Sequence, residues 1–124
     1  MKTLIAGLGS IGRRHLRNLV QLGEKDIILY RTFHSTLPDE ELSSFPVETD
    51  LARALAQKPD AVIVSNPTAL HMDVAIPAAR AGCNIFLEKP ISHNLDRLFE
   101  FEEGLEHGRG KVFVGFQFRF HPGL

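Results

Sequence analysis

The residue that points most directly to chemistry is Lys89, in the run Asn84-Ile85-Phe86-Leu87-Glu88-Lys89-Pro90. The apolar part of this run predicts a buried strand, and a lysine at its end would face a ligand bound at the edge of a sheet. Desolvation of such an amine lowers its pKa, so that it can donate or accept the proton of a substrate hydroxyl. A solvated lysine, or one paired with Glu88, is the alternative.

A second chemical signal is the loop Gly7-Leu8-Gly9-Ser10-Ile11-Gly12, between an apolar run and a helical pattern. Gly7 allows a tight turn, Gly9 lets backbone amides approach a pyrophosphate, and Gly12 permits close packing of helix on strand. Ser10 and Ile11 would lie at the helix N-terminus, where the dipole favours an anion. We therefore expect dinucleotide binding; a glycine turn without a ligand is the alternative.

The end of the next apolar run bears on the choice of cofactor. Its residues are Tyr30-Arg31-Thr32, where the acid that accepts hydrogen bonds from an adenosine ribose usually stands. Arg31 could pair with a ribose 2′-phosphate, and Thr32 could donate a further hydrogen bond. The sequence thus favours NADP over NAD, unless Arg31 is merely solvated.

A polar turn, Ser65-Asn66-Pro67-Thr68, follows the continuous apolar run at 61–64. In a parallel sheet this turn would lie at the carboxyl edge, where ligands bind. Asn66 and Pro67 are therefore candidates to line a nicotinamide site. His71, three residues after Thr68, would fix this loop or cap its helix, and direct catalysis by His71 is the less favoured interpretation.

These residues must be positioned by alternating strands and helices. Apolar runs predict strands at 3–6, 27–30, 61–64, 84–87 and 112–114, with a short strand at 46–48. Helical spacing of apolar residues predicts helices at 11–22, 50–57, 72–81 and 95–106. Arg13 and Arg14 are expected on the solvated surface, and Pro77 near the first turn of its helix or at a kink. The order predicts an α/β fold with a doubly wound parallel sheet of the Rossmann type.

The composition narrows the class of protein further. A chain of 124 residues suits one domain, and 14 basic against 15 acidic side chains imply no general attraction to nucleic acid or to an anionic membrane. The single cysteine cannot form an internal disulfide, and no spaced set of Cys and His suggests a metal site. No run approaches the roughly 20 apolar residues that span a bilayer, so we expect a cytoplasmic protein.

Through five motifs the chain resembles the glucose-fructose oxidoreductase and myo-inositol dehydrogenase family, known as Gfo/Idh/MocA. They are the glycine loop with His15, Asn66-Pro67 with His71, Ala81-Gly82 before the strand, Glu88-Lys89-Pro90, and Arg119-Phe120-His121-Pro122. The resemblance implies that Lys89 lies beside the nicotinamide and contacts the reacting hydroxyl or carbonyl, that Glu88 lies in the cofactor site, and that Arg119 and His121 are on the substrate side.

The resemblance also implies a division of the chain. Residues 1–118 would form the NAD(P)-binding Rossmann domain, and 119–124 would begin the crossover to a C-terminal substrate domain that this chain lacks. The expected function is hydride transfer to or from a sugar or polyol, with no turnover by the chain alone. A dinucleotide-sensing or protein-interaction module is the alternative. The phenylalanines at 113, 116, 118 and 120 would either complete the core or form a C-terminal edge for self-association.

Overall fold

The computed structural model describes residues 1–32, 39–89, 92, 95 and 97–115. Of the helices in this part of the chain, none combines the length and the apolarity needed to cross a bilayer. The described elements are β1 (Thr3–Ala6), α1 (Ser10–Gln21), β2 (Ile27–Tyr30), a 3₁₀ turn (Glu40–Leu42), β3 (Val47–Glu48), α2 (Leu51–Ala56), β4 (Ala61–Val64), a 3₁₀ turn (Thr68–Leu70), α3 (His71–Arg80), β5 (Asn84–Glu88), α4 (Leu98–Gly108) and β6 (Val112–Gly115).

The strands form one sheet in the order β3-β2-β1-β4-β5-β6, and every neighbouring pair is parallel. Ala6 lies opposite both Tyr30 and Val64, and Val64 lies opposite Leu87. The carboxyl ends of β1, β2, β4 and β5 therefore share one edge, and the residues that follow them come together there. This topology confirms the predicted doubly wound, Rossmann-type sheet.

Two apolar layers cover the sheet, which explains why its central strands read as continuous apolar runs. On one face α3 contributes Ala75 and Ile76 to a core with Val62 and Ile85. On the other face α1 contributes Leu16, with Ile5, Leu29 and Ile63 from the strands. At about 25 cal/mol per Å² of apolar surface buried, this two-sided burial is the main driving force for folding.

Two local predictions differ in part from the structure. Of the two places predicted for Pro77, the first turn of its helix is excluded, because Pro77 lies in the interior of α3, where proline cannot donate the usual backbone hydrogen bond. Burial of α3 against the sheet and α4 outweighs that local loss, since tertiary packing supplies most helix stability. Helix α4 begins at Leu98, three residues after Leu95, which is exposed, whereas Leu98 and Phe101 pack on the core.

The prediction of a solvated Arg13 is also wrong, whereas Arg14 is exposed as expected. Only 1% of the Arg13 surface is accessible, and its Nε donates to the carbonyl of Leu8 at 2.7 Å. Its guanidinium reaches the carboxylates of Asp39 and Glu41, at 3.0 and 3.7 Å. A buried guanidinium is stable when it is paired and hydrogen-bonded, and the segment before β3 supplies those partners.

Candidate functional site

A cavity of about 540 Å³ opens at the carboxyl edge of β1, β2 and β4. Its size lies within the range of small-molecule and cofactor sites, and it stands where ligands bind to open α/β sheets. Its lining residues come from the glycine loop, the ends of β2 and β4, and the start of α3: Gly7, Leu8, Gly9, Ser10, Ile11, Tyr30, Arg31, Thr32, Ser65, Asn66, Pro67, Leu70, Asp73 and Val74.

The glycine loop is packed so tightly that two of its positions admit no side chain. Gly7 has φ +94°, and a Cβ there would lie 2.5 Å from the Asn66 backbone nitrogen. A Cβ on Gly12 would lie 1.8 Å from the Gly7 carbonyl oxygen. Gly9 differs, since a Cβ there would meet no atom within 4 Å. Gly7 and Gly12 thus allow close packing of the loop, and Gly9 leaves open space at the N-terminus of α1.

The N-terminus of α1 opens at this loop without a side-chain cap. The N-cap is Gly9, and the first turn contains no acidic residue. Four amides at a helix start lack intrahelical partners, and the helix dipole makes that end attractive to anions. Ser10 and Ile11 therefore lie in the first turn of a helix whose N-terminus favours an anion.

The loop after β4 forms the opposite wall and is held from two sides. The Ser65 hydroxyl lies 3.1 Å from the Ala6 carbonyl oxygen and 3.0 Å from that of Gly7. His71, only 2% exposed, has its Nε2 2.9 Å from the Asn66 carbonyl oxygen. This contact confirms that His71 fixes the loop, whereas the structure gives it no side-chain cap and no place in the cavity lining.

Asn66 carries an acceptor atom suited to a ligand. Its Nδ2 donates to the Leu70 carbonyl at 3.2 Å. Its Oδ1 is buried, and no described residue donates to it. Because an unpaired buried acceptor costs about 1–3 kcal/mol, a ligand hydroxyl or amide that donates here would bind favourably. The residues present therefore fit a nicotinamide dinucleotide.

Arg31 lines the cavity at the end of β2, but it is not a solvated loop arginine. It is 8% exposed, and its Nη1 lies 3.0 Å from Oδ1 of Asp39. Thr32 lines the same end of the cavity and is exposed. The structure thus places one buried cation at the β2 end of the cavity, already in contact with a carboxylate.

The end of β5 lies beside this cavity and does not form its wall. Oε1 of Glu88 lies 2.5 Å from Nε2 of His15 on α1. The His15 ring meets Phe86 edge to face, with centroids 5.3 Å apart. His15 is therefore packed against β5 and hydrogen-bonded to its last residue. Lys89, which follows Glu88, is exposed and stands at the same sheet edge as the loop after β4.

The sequence-predicted site is thus brought together in part. Eight of its residues line the cavity, whereas Gly12, His71, Glu88 and Lys89 do not. Arg119 and His121 lie outside the described residues, as does Pro90. The sequence reasoning missed Asp73, which lines the cavity, and Asp39, which contacts Arg31. Asp39 follows β2 by nine residues, and no motif or periodicity marks it.

Comparison with known proteins agrees with this geometry. A family model described as an oxidoreductase family with an NAD-binding Rossmann fold matches residues 1–116. The chain is 31% identical to the myo-inositol 2-dehydrogenase of Thermotoga maritima over 97% of its own length and 37% of that protein. It is also 31% identical to the scyllo-inositol 2-dehydrogenase (NAD(+)) of Bacillus subtilis, over 98% of the chain and 37% of that protein.

Solved structures give the same result. The crystal structure of myo-inositol 2-dehydrogenase from Lactobacillus plantarum superposes with a TM-score of 0.83 at 27% identity. The match covers 98% of this chain and 38% of that one. The chain therefore spans little more than a third of the length of the relatives it matches.

Proposed function

The chain belongs to the Gfo/Idh/MocA oxidoreductase family, and on that premise we propose that it forms the dinucleotide-binding half of a sugar or polyol dehydrogenase. The observation that best supports this proposal is the cavity, which is lined by the glycine loop, the uncapped N-terminus of α1 and the loop after β4. Inositol dehydrogenases among the relatives support a substrate with several secondary hydroxyls.

Each part of the dinucleotide has residues that would hold it. The amides of Ser10 and Ile11 would bind the pyrophosphate, and the open space at Gly9 would admit it. Asn66 Oδ1 would accept a hydrogen bond from the nicotinamide half, with Pro67 beside it in the cavity wall. When bound, the nicotinamide supplies or accepts the hydride.

Lys89 is the residue we propose for proton handling. It follows β5 at the sheet edge, one strand away from Asn66 and Pro67. Glu88 and Lys89 are adjacent, and the Glu88 carboxylate is held by His15 at 2.5 Å. That contact connects α1 to the end of β5, the strand that Lys89 follows. In its uncharged form the Lys89 amine would accept the hydroxyl proton of a secondary alcohol substrate, and a bound nicotinamide would supply the hydride chemistry.

For the cofactor we propose NADP in preference to NAD. Arg31 and Thr32 line the cavity at the end of β2, and no acidic residue stands at 30–32 to accept hydrogen bonds from a ribose. A guanidinium binds phosphate through charge-assisted hydrogen bonds. The 2′-phosphate of NADP would therefore gain a contact here that NAD lacks.

The division of the chain is likewise a proposal. Residues 1–118 would form the dinucleotide-binding domain, and 119–124 would begin the crossover toward the substrate-binding part of the enzyme. The family model, which ends at 116, supports this boundary. Arg119 and His121 would then lie on the substrate side.

Calorimetric titration of the chain with NADPH and NADH tests the cofactor site. We expect both to bind, with NADPH tighter. Failure of the folded chain to bind either would overturn the proposal, and tighter binding of NADH would reverse the cofactor preference alone.

The proton-handling role requires the complete enzyme. Lys89→Met should abolish most inositol oxidation while leaving the dissociation constant of the dinucleotide within about threefold, because the amine contacts substrate and not the pyrophosphate loop. Unchanged turnover in this variant would remove Lys89 from the mechanism.

A further inference from the structure

Two buried guanidinium groups share one carboxylate at the adenosine end of the cavity. Oδ1 of Asp39 lies 3.0 Å from Nη2 of Arg13 and 3.0 Å from Nη1 of Arg31. The arginines are 1% and 8% exposed, whereas the Asp39 side chain is 55% exposed. We call these three residues the Arg-Asp-Arg cluster. The anion in this cluster thus lies at its outer, solvent-facing side.

The cluster overlaps the place where NAD and NADP differ. Arg31 lines the cavity at the end of β2, and Asp39 does not line it. Asp39 belongs to the segment before the first 3₁₀ turn and contacts Arg31 across eight residues of chain. A 2′-phosphate entering beside Thr32 would therefore meet an arginine that a carboxylate already binds.

The charged side chains around the Arg-Asp-Arg cluster do not offset the negative charge that Asp39 places on Arg31. Glu41 contacts Arg13 at 3.7 Å and Arg17 at 3.0 Å, so it neutralises the α1 side of the cluster. In the described contacts Arg13, Arg17 and Arg31 face two acids, Asp39 and Glu41, which leaves one positive charge. A phosphate of charge about −1.5 to −2 would exceed it. A phosphate must then share Arg31 with Asp39 at the cost of like-charge repulsion.

We infer that Asp39 is a specificity-determining residue, a resident anion on Arg31 that restrains the preference for NADP over NAD. The inference rests on the proposed dinucleotide function. Hydrogen bonds from Arg31, and after it from Arg13, lower the pKa of Asp39. Asp39 is therefore ionised wherever the cofactor phosphate titrates, near pH 6. Wild-type protein should accept both cofactors, with a modest preference that loss of the Asp39 charge sharpens.

The test compares Asp39→Asn with Glu41→Gln by calorimetric titration with NADPH and NADH. Both variants remove one negative charge from the same 3₁₀ region, but Glu41 contacts Arg13 and Arg17 and not Arg31. We expect Asp39→Asn to bind NADPH about five- to tenfold more tightly, because Arg31 would no longer share its charge-assisted hydrogen bonds with a carboxylate and could give them to the 2′-phosphate. Its affinity for NADH, and both affinities of Glu41→Gln, should change less than about twofold.

A second probe isolates the phosphate. Adenosine 2′,5′-bisphosphate should gain affinity in Asp39→Asn, whereas adenosine 5′-monophosphate should not. In the double variant Arg31→Met/Asp39→Asn the gain should disappear, because Asp39 acts through Arg31. Asp39→Ser serves as the second variant if the asparagine form is unstable.

The outcomes separate the two proposals. If wild-type protein binds neither dinucleotide, the proposed function fails. If it binds both and the NADPH to NADH affinity ratio of Asp39→Asn is unchanged or lower, Asp39 merely holds Arg31 in place and the inference is overturned. A ratio that rises equally in Glu41→Gln would also overturn it, since a general charge effect would then suffice.

Discussion

Gly12 offers the most direct test of the packing that forms the site. A Cβ at this position would lie 1.8 Å from the Gly7 carbonyl oxygen and 2.9 Å from Ser65 Oγ. The first contact is with backbone, so Gly12→Ala cannot be accommodated by a rotamer change. Helix α1 must move away from β1, which should destabilise both the core under the helix and the loop at its N-terminus.

The size of the effect follows from two opposing terms. Forcing a methyl group into a packed site costs about 1–3 kcal/mol, occasionally more, and a clash this short belongs at the upper end. Replacing glycine in a helix returns up to about 1 kcal/mol. We therefore expect Gly12→Ala to lose about 2 kcal/mol in urea denaturation, with a fall in Tm of about 6–10 °C for a domain of this size.

Two glycine variants serve as controls. Gly104→Ala gives the same helical substitution in α4, where the nearest atom to the new Cβ is 3.3 Å away, so its stability should change by less than about 1 kcal/mol. Gly9→Ala meets no atom within 4 Å and should stay folded. Its methyl group would occupy the space proposed for the pyrophosphate, so its dinucleotide affinity should fall about tenfold, or 1.4 kcal/mol. A Gly12→Ala protein as stable as wild type would refute the close approach of α1 to β1.

Three further outcomes are expected. Asp50→Ala should destabilise the chain by about 1 kcal/mol, and Asp50→Asn by less, because the Asp50 side chain accepts a hydrogen bond from a first-turn amide of α2 at 3.2 Å. Equal stability of the wild type and both variants in urea would contradict this cap. Because bonds from Arg31 and then Arg13 lower the pKa of Asp39, its contribution is complete above its ordinary pKa of 3.8 and is lost as pH falls through the lowered value. Acid unfolding of Asp39→Asn should accordingly be less steep than that of wild type below about pH 4, and parallel curves would count against the pairing. Burial, and secondarily the charge of Asp60, raises the pKa of the Cys83 thiol. At pH 8 this thiol should therefore react with a disulfide reagent far more slowly in the native chain than in the urea-unfolded chain. Rapid labelling of the native chain would show that Cys83 is accessible.

The elements were predictable because their signals are local. The strands at 27–30 and 61–64 have the bounds that their apolar runs indicate, since a buried parallel strand needs continuous apolar residues. The glycine loop was equally readable, because Gly7 and Gly12 answer steric needs that few other residues meet. Asn66 and Pro67 were found from their place after β4, at the edge where ligands bind.

Partners distant in sequence were not predictable in the same way. A proline such as Pro77 is locally unfavourable in a helix interior, and only the burial of α3 explains its position there. Arg13 looked like an exposed residue of a helical turn, yet a carboxylate 26 residues away makes its burial stable. His15 and Glu88 are 73 residues apart and meet because α1 packs over β1 and β4, from where His15 reaches the end of β5.

The sequence by itself therefore determined the order of strands and helices, the parallel sheet and the glycine loop at its carboxyl edge. Apolar periodicity and backbone sterics specify these features within a few residues of chain. Only the tertiary structure decided that Asp39 binds Arg31, that His15 holds Glu88, and that Lys89 stands beside the cavity and not in its wall. Those relations depend on where packed layers place charged groups, because a charge leaves water only where the fold supplies its partner.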